Sequence, residues 1–155
     1  MRFVIMAAAT AFVLTTSCAV AEDNAALMKP INGFITATAH GRLAEAAGYF
    51  GPSQSIIDEF APYHWSGPSA VKTWWAGFVA DSKTSGMTDA VMTMGAPTRI
   101  LQTARHAYVV APAVLTYKIK AAPGRETGVF TFSLDKTGKG WRLAAMSWAG
   151  DKPVP

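Results

Sequence analysis

Along the chain, apolar positions first recur with a helical period and later switch to a period of two. From Asn24 to about Ala39, Leu27, Ile31, Phe34 and Ile35 stand three and four residues apart, which predicts a helix with one buried face. Pro30 falls near its first turns, where it either starts the regular helix or bends it. His40-Gly41 closes the element, with His40 placed to bond its last carbonyls. A shorter amphipathic helix carries Leu43, Ala46, Ala47 and Phe50, and Gly51-Pro52 ends it. Ser55 to Phe60 is β-branched and aromatic and reads as a short strand, followed by an irregular Ala61-Pro62-Tyr63-His64-Trp65. The next helix has Ser66 or Ser69 as its cap, a stripe of Val71, Trp74, Trp75, Phe78 and Val79, and Gly86 as its stop.

Beyond Met87 the alternation predicts strands near Thr88 to Met94, Thr98 to Thr103, His106 to Lys120, Thr127 to Asp135 and Trp141 to Ala149. Pro112 bends the third of these at a bulge or an edge. Lys136-Thr137-Gly138-Lys139-Gly140 turns the last two into a hairpin. Helices first and a meander of strands last give an α+β fold, with the helices packed on one face of a strongly curved, mainly antiparallel sheet.

Composition changes the picture at the N-terminus. Met1-Arg2, the apolar run Phe3 to Leu14 and the small-residue segment ending Ala19-Val20-Ala21 form a three-part secretory signal with an A-x-A cleavage site. Residues 1–21 are therefore expected to be removed, leaving 22–155 as a single domain in the periplasm or outside the cell. The run is too short to span a bilayer, and no later segment qualifies, so no membrane span is expected. Cys18, the only cysteine, lies upstream of the cut. The mature chain then has neither a disulfide nor a thiolate metal site. Lipidation of Cys18 is the alternative, and it fits less well because the apolar residue Leu14 sits one place too far upstream. Half of the residues are apolar and 15% are charged, which excludes disorder and coiled coil. The net charge of +4 comes from scattered Lys and Arg, without the one-faced cluster that nucleic acid requires.

Two segments carry a family resemblance. The first is Ile56-Ile57-Asp58-Glu59-Phe60, then Trp65-Ser66-Gly67-Pro68-Ser69-Ala70-Val71 and the pair Trp74-Trp75. The second is Gly128-Val129-Phe130-Thr131-Phe132, the hairpin, and Gly140-Trp141-Arg142-Leu143. In order and spacing they resemble the nuclear transport factor 2-like superfamily, in particular its SnoaL-like branch. The resemblance implies a cone-shaped α+β barrel in which a bent sheet wraps a long N-terminal helix around a pocket, and a homodimer formed through the open sheet face. Such folds serve isomerases, cyclases, hydrolases and dehydratases as well as binding and scaffolding domains, so the fold alone does not decide the function.

Within that resemblance Asp58 faces the pocket and takes the place of the general base that moves a proton beside a carbonyl in ketosteroid isomerases. His64 is the candidate partner. The helix position that would carry the tyrosine of an oxyanion hole is Phe34, which donates no hydrogen bond, and the strands from His106 to Ala121 hold no Asp or Glu as a second donor. A replacement donor has to come from Tyr63, Tyr108, Tyr117 or His106. Trp65 is expected at the pocket mouth, and Trp148, with Met146 on the same strand face, at the pocket or the dimer surface. Trp74, Trp75 and Phe78 read as core, with the alternative that one of the tryptophans lines the pocket mouth, and Met92, Met94 and Met146 as core filler that also suits a pocket for apolar ligands. Three dispersed histidines give no metal site. No glycine-rich phosphate loop or nucleophile elbow is present, and no cofactor is implied. The expected function is binding of a small hydrophobic or aromatic molecule. The alternatives are an isomerase, dehydratase or cyclase type of enzyme using Asp58, and a protein-interaction module.

Overall fold

The stripe of Leu27, Ile31 and Phe34 lies on α1 (Thr15–Ala39), which buries these residues together with Pro30, Ala37 and Thr38. The computed structural model describes residues 15–151, with side chains from Asn24 onward. Residues 1–14 of the expected leader lie outside the described residues, and α1 begins upstream of the expected cut, so Ala21 falls inside the helix. Pro30 does not start the helix; it sits within α1 on its buried side. His40 Nδ1 lies 2.7 Å from the Thr36 carbonyl oxygen, the helix-end bond its position predicts. Gly33 is required by packing, because a Cβ there would lie 2.3 Å from the Tyr49 ring.

The second helix, α2 (Leu43–Gly48), stops before Phe50, which opens β1 (Phe50–Ile57). Gly51-Pro52 therefore belongs to a strand and does not end a helix. The register of β1 shifts between Phe50 and Ser55, and an irregularity of that kind tolerates a proline that cannot donate to a ladder. The stretch expected to be irregular contains β2 (His64–Ser66), which pairs back on β1 through Ser55 and Ser66, Ile56 and Trp65, and Ile57 and His64. The third helix, α3 (Ala70–Ser85), has Ser69 at its N-cap without a side-chain bond, and ends at Gly86 in the left-handed conformation (φ 75°) that glycine adopts without strain.

The remaining strands are β3 (Met87–Met94), β4 (Arg99–Gln102), β5 (His106–Ile119), β6 (Ala122–Thr137) and β7 (Gly140–Gly150). Together with β1 and β2 they form a curled seven-stranded sheet in the order β2-β1-β7-β6-β5-β3, with β4 also paired to β5. Only β1 and β7 run parallel. Pro112 sits where the partner of β5 changes, since β3 pairs with it up to Ala113 and β4 from Val110. At that handover the missing N–H leaves no bond unmade, and Pro112 offers its carbonyl to Gly95 N at 2.8 Å. β6 starts five residues earlier than the alternation suggested. β7 pairs with β6 only from Gly128 onward, so the first part of β6 is an edge that accepts Pro123.

Alternation then sets the core. On β5, Ala107, Val109, Ala111, Ala113 and Leu115 are buried on the inner face, while Tyr108, Pro112 and Thr116 face out. Phe130, Phe132 and Leu134 of β6 and Trp141, Leu143, Met146 and Trp148 of β7 complete the inner face around α1. The result is the expected α+β cone, curled but not closed.

Candidate functional site

One end of the cone is hollow. The last turns of α1 contribute Phe34, Ile35, Thr38 and Ala39, and one face of α3 contributes Trp74, Trp75, Phe78 and Asp81. The strands add Met87, Ala90 and Met92 from β3, Leu115 from β5, Phe130 from β6, and Met146 and Trp148 from β7. The turn after β1 closes the wall with Asp58, Glu59, Phe60, Ala61 and Tyr63. The cavity measures about 480 Å³, a size that holds a small organic molecule. Its aromatic wall is tightly coupled: Trp74 stacks with Phe78 at 6.5 Å between ring centroids and meets Phe34 at 6.0 Å. Thr38 adds no free proton to this wall, because its hydroxyl donates to the carbonyls of Phe34 and Ile35 at 2.9 Å.

Asp58 stands one residue past the end of β1, half-buried on the cavity wall. Its Oδ2 accepts the indole N–H of Trp74 at 2.7 Å, and its Oδ1 accepts the backbone N–H of Glu59 at 2.7 Å. Hydrogen bonds to a charged acceptor are short and strong, and two of them fix the plane of this carboxylate. The turn that holds it is closed by Asp58 N on Tyr63 O at 3.2 Å and Tyr63 N on Phe60 O at 2.8 Å. Tyr63 lines the cavity from an exposed position, so of the four proposed replacement donors it is the one brought to the site.

The other candidates lie elsewhere. His64 pairs with Ile57, which is exposed, and therefore shares the outer face of the β1–β2 ladder, where its Nε2 is 3.2 Å from Ser55 Oγ. It does not reach the cavity. Trp65 pairs with Ile56 and is buried against Phe60 and beneath Gly77 of α3, behind the wall and not at the mouth. Tyr108 faces outward beside Leu101. Tyr117 is on the inner side of β5 but lies over Gly124, its partner on β6. His106 bonds Asp135 at 2.8 Å on the exposed surface. Phe34 and Trp148 do line the cavity.

Several wall residues escaped the sequence reading. Trp74, Trp75 and Phe78 read as core, and they are core on one side and cavity on the other. Asp81 stands seven residues after Trp74, on the same helical face, and that spacing was the available signal. Glu59 accepts a hydrogen bond from the backbone N–H of Gly150. Across Gly150 lies Glu126, buried on β6, where a Cβ on residue 150 would collide with its carboxylate. Counting back by twos from Phe132 and Phe130 puts Glu126 on the inner face, but only once the strand is known to extend through Gly128.

On the outer face Tyr108, Val129, Leu101 and Val91 are 39–56% exposed and spread across four strands. Among the described residues no group of three His, Cys, Asp or Glu is set to hold a metal ion. No helix among them is long and apolar enough to cross a membrane.

The profile of the SnoaL-like domain matches residues 28–148. No curated protein matches the sequence. Among solved structures, the LinA-type3 hexachlorocyclohexane dehydrochlorinase of Novosphingobium barchaimii superposes with a TM-score of 0.74 at 10% identity, covering 90% of this chain and 94% of that one. An NTF2-like protein with a cystatin-like fold from Novosphingobium aromaticivorans gives 0.72 at 14% identity, covering 94% of each. A ketosteroid isomerase-like protein from Erwinia carotovora atroseptica gives 0.66 at 15% identity, covering 85% of this chain and 98% of that one.

Proposed function

The chain belongs to the SnoaL-like family, and from that premise we propose that it is an exported protein that binds a small apolar or aromatic molecule in the open end of its cone. The observation that carries the reading is the cavity itself: about 480 Å³ walled mainly by aromatic and methionine side chains, the composition of a site that gains affinity from burial. One fold neighbour is named for hexachlorocyclohexane, a small apolar molecule. Export rests on the A-x-A signal, and homodimerisation on the apolar outer sheet face. The test is a titration followed by heteronuclear NMR with benzyl alcohol as the probe. Saturable shifts at Phe34, Thr38, Phe130 and Trp148, with Leu101 and Tyr108 unmoved, are the expected result. Shifts confined to the outer face would remove this reading and leave the interaction module.

A second reading is favoured by one observation. Asp58 is a fixed carboxylate on the cavity wall, and Tyr63, which carries a phenol, lines the same cavity; a base and a hydrogen-bond donor are the two roles that proton transfer beside a carbonyl requires. Exchange of the α-protons of 1-indanone in deuterated water tests it. The enzyme reading expects wild type to accelerate exchange and Asp58→Asn to lose the acceleration, and equal rates for the two proteins would reject it.

A further inference from the structure

Charge in the cavity runs opposite to charge in the chain. The sequence carries 14 Lys and Arg against 10 Asp and Glu, yet the described residues lining the cavity include Asp58, Glu59 and Asp81 and no Lys, Arg or His. The three acids come from two separate elements, the turn after β1 and the far end of α3. The wall between them is aromatic, and the faces of Trp and Phe rings present the negative side of a quadrupole. Trp74 joins the two systems, since its N–H points at the Asp58 carboxylate at 2.7 Å and donation to an anion makes the indole ring richer in electrons.

These walls discriminate by charge. An anion would enter with no cation to pair it and three carboxylates to oppose it. A neutral apolar molecule gains burial alone. An organic cation gains burial, the ring faces and the attraction of the carboxylates together. A primary ammonium brings three N–H donors that need acceptors; the Trp, Phe and Met walls supply none, and Asp58 and Glu59 already accept from the Trp74 indole and the backbone N–H groups of Glu59 and Gly150, whereas a fully substituted ammonium brings no donor to satisfy. We propose that the cavity selects organic cations, and that its preferred ligand class is a substituted or quaternary ammonium attached to an apolar or aromatic body. The proposal rests on the binding reading above and sharpens it.

Three probes that share a benzyl body and a tetrahedral head separate the two ideas: benzyltrimethylammonium, neopentylbenzene and benzylsulfonate. Each is titrated into the full chain and followed by tryptophan fluorescence, which Trp74, Trp75 and Trp148 place at the cavity. The expected result is that the cation binds at least tenfold more tightly than the neutral probe, with the sulfonate weakest. A neutral probe that binds as tightly as the cation overturns charge selection and leaves the apolar-site reading intact. No response to any probe overturns both. Asp81→Asn, at an exposed position that threatens folding little, and Asp58→Asn are each expected to reduce the ratio of neutral-probe Kd to cation Kd several-fold. An undiminished advantage in both variants would overturn the assignment to these carboxylates.

Discussion

Leu134 and Leu143 face each other across β6 and β7, Val109 and Phe132 do so across β5 and β6, and all four are essentially inaccessible within one cluster that includes Leu27 and Ile31 of α1. Further along the same strands, Leu115, Phe130, Met146 and Trp148 continue the same alternation, yet they and the last turns of α1 surround open space. One sheet and one helix thus give a solid end and a hollow end. The difference lies in what fills the gap between helix and sheet. Aliphatic side chains interlock at the solid end. At the hollow end the space is framed by α3, whose large rings lean on one another (Trp75 and Phe78 at 5.4 Å, Trp74 and Trp75 at 5.8 Å) and form a wall. The cavity acids gather at this end as well, where solvent reaches them. The contrast shows that a period of two decides which face a residue occupies but not whether that face is packed.

The largest effect that can break the comparison is a truncation at the solid end. Leu143→Ala is expected to lower unfolding free energy by about 3 kcal/mol, since a fully buried leucine leaves a cavity behind, whereas Trp75→Ala, partly exposed at the hollow end, is expected to lose about 1 kcal/mol. Urea denaturation measures both, and equal losses would erase the distinction. Enlargement sharpens it further. Val109→Phe overfills a packed position and is expected to cost about 2 kcal/mol, while Leu115→Phe grows into open space, changes stability by under about 0.5 kcal/mol and weakens benzyltrimethylammonium binding. Asp58→Asn comes next, at about 1 kcal/mol, because the amide keeps an acceptor for Trp74 but loses the charge that strengthens both bonds.

The smallest effect concerns the clip between β6 and the residue after β7. Thr127 donates to Asp151 through both its backbone N–H and its hydroxyl, and these bonds hold the Asp151 carboxyl below the ordinary carboxylate range. A lowered folded-state pKa means that this clip is complete above the ordinary carboxylate pKa and is lost as pH falls through the lowered value. Hydrogen exchange at the Thr127 amide is therefore expected to accelerate, relative to Val109, as the solution is acidified below the usual carboxylate range. Asp151→Asn should remove that pH dependence without moving the global midpoint.

How far the sequence anticipates these features depends on whether a feature is periodic. The stripe of Leu27, Ile31 and Phe34, the cap at Gly86 and the strands of the final meander were legible because each repeats at 3.6 or 2 residues or is fixed by glycine. The openings of β1 and β6 were not, because Pro52 and Pro123 look like breakers until an irregular register or an unpaired edge is known to excuse them. At the site, Asp58 and Phe34, placed by family order, Tyr63, one of four candidate donors, and Trp148, placed by strand alternation, all lie on the cavity wall. His64 and Trp65 were misplaced because a three-residue strand, unseen in the sequence, turns one outward and the other inward. Glu126 was missed for the same reason as the start of β6.

Occupancy of the hollow end in use is read by native mass spectrometry of the protein purified from its own host, wild type beside Leu115→Phe. The expected spectrum shows a discrete added mass on wild type that is diminished in the variant, with fragmentation showing a substituted ammonium. Bare spectra from both proteins, or an added mass that Leu115→Phe leaves unchanged, would contradict that occupancy.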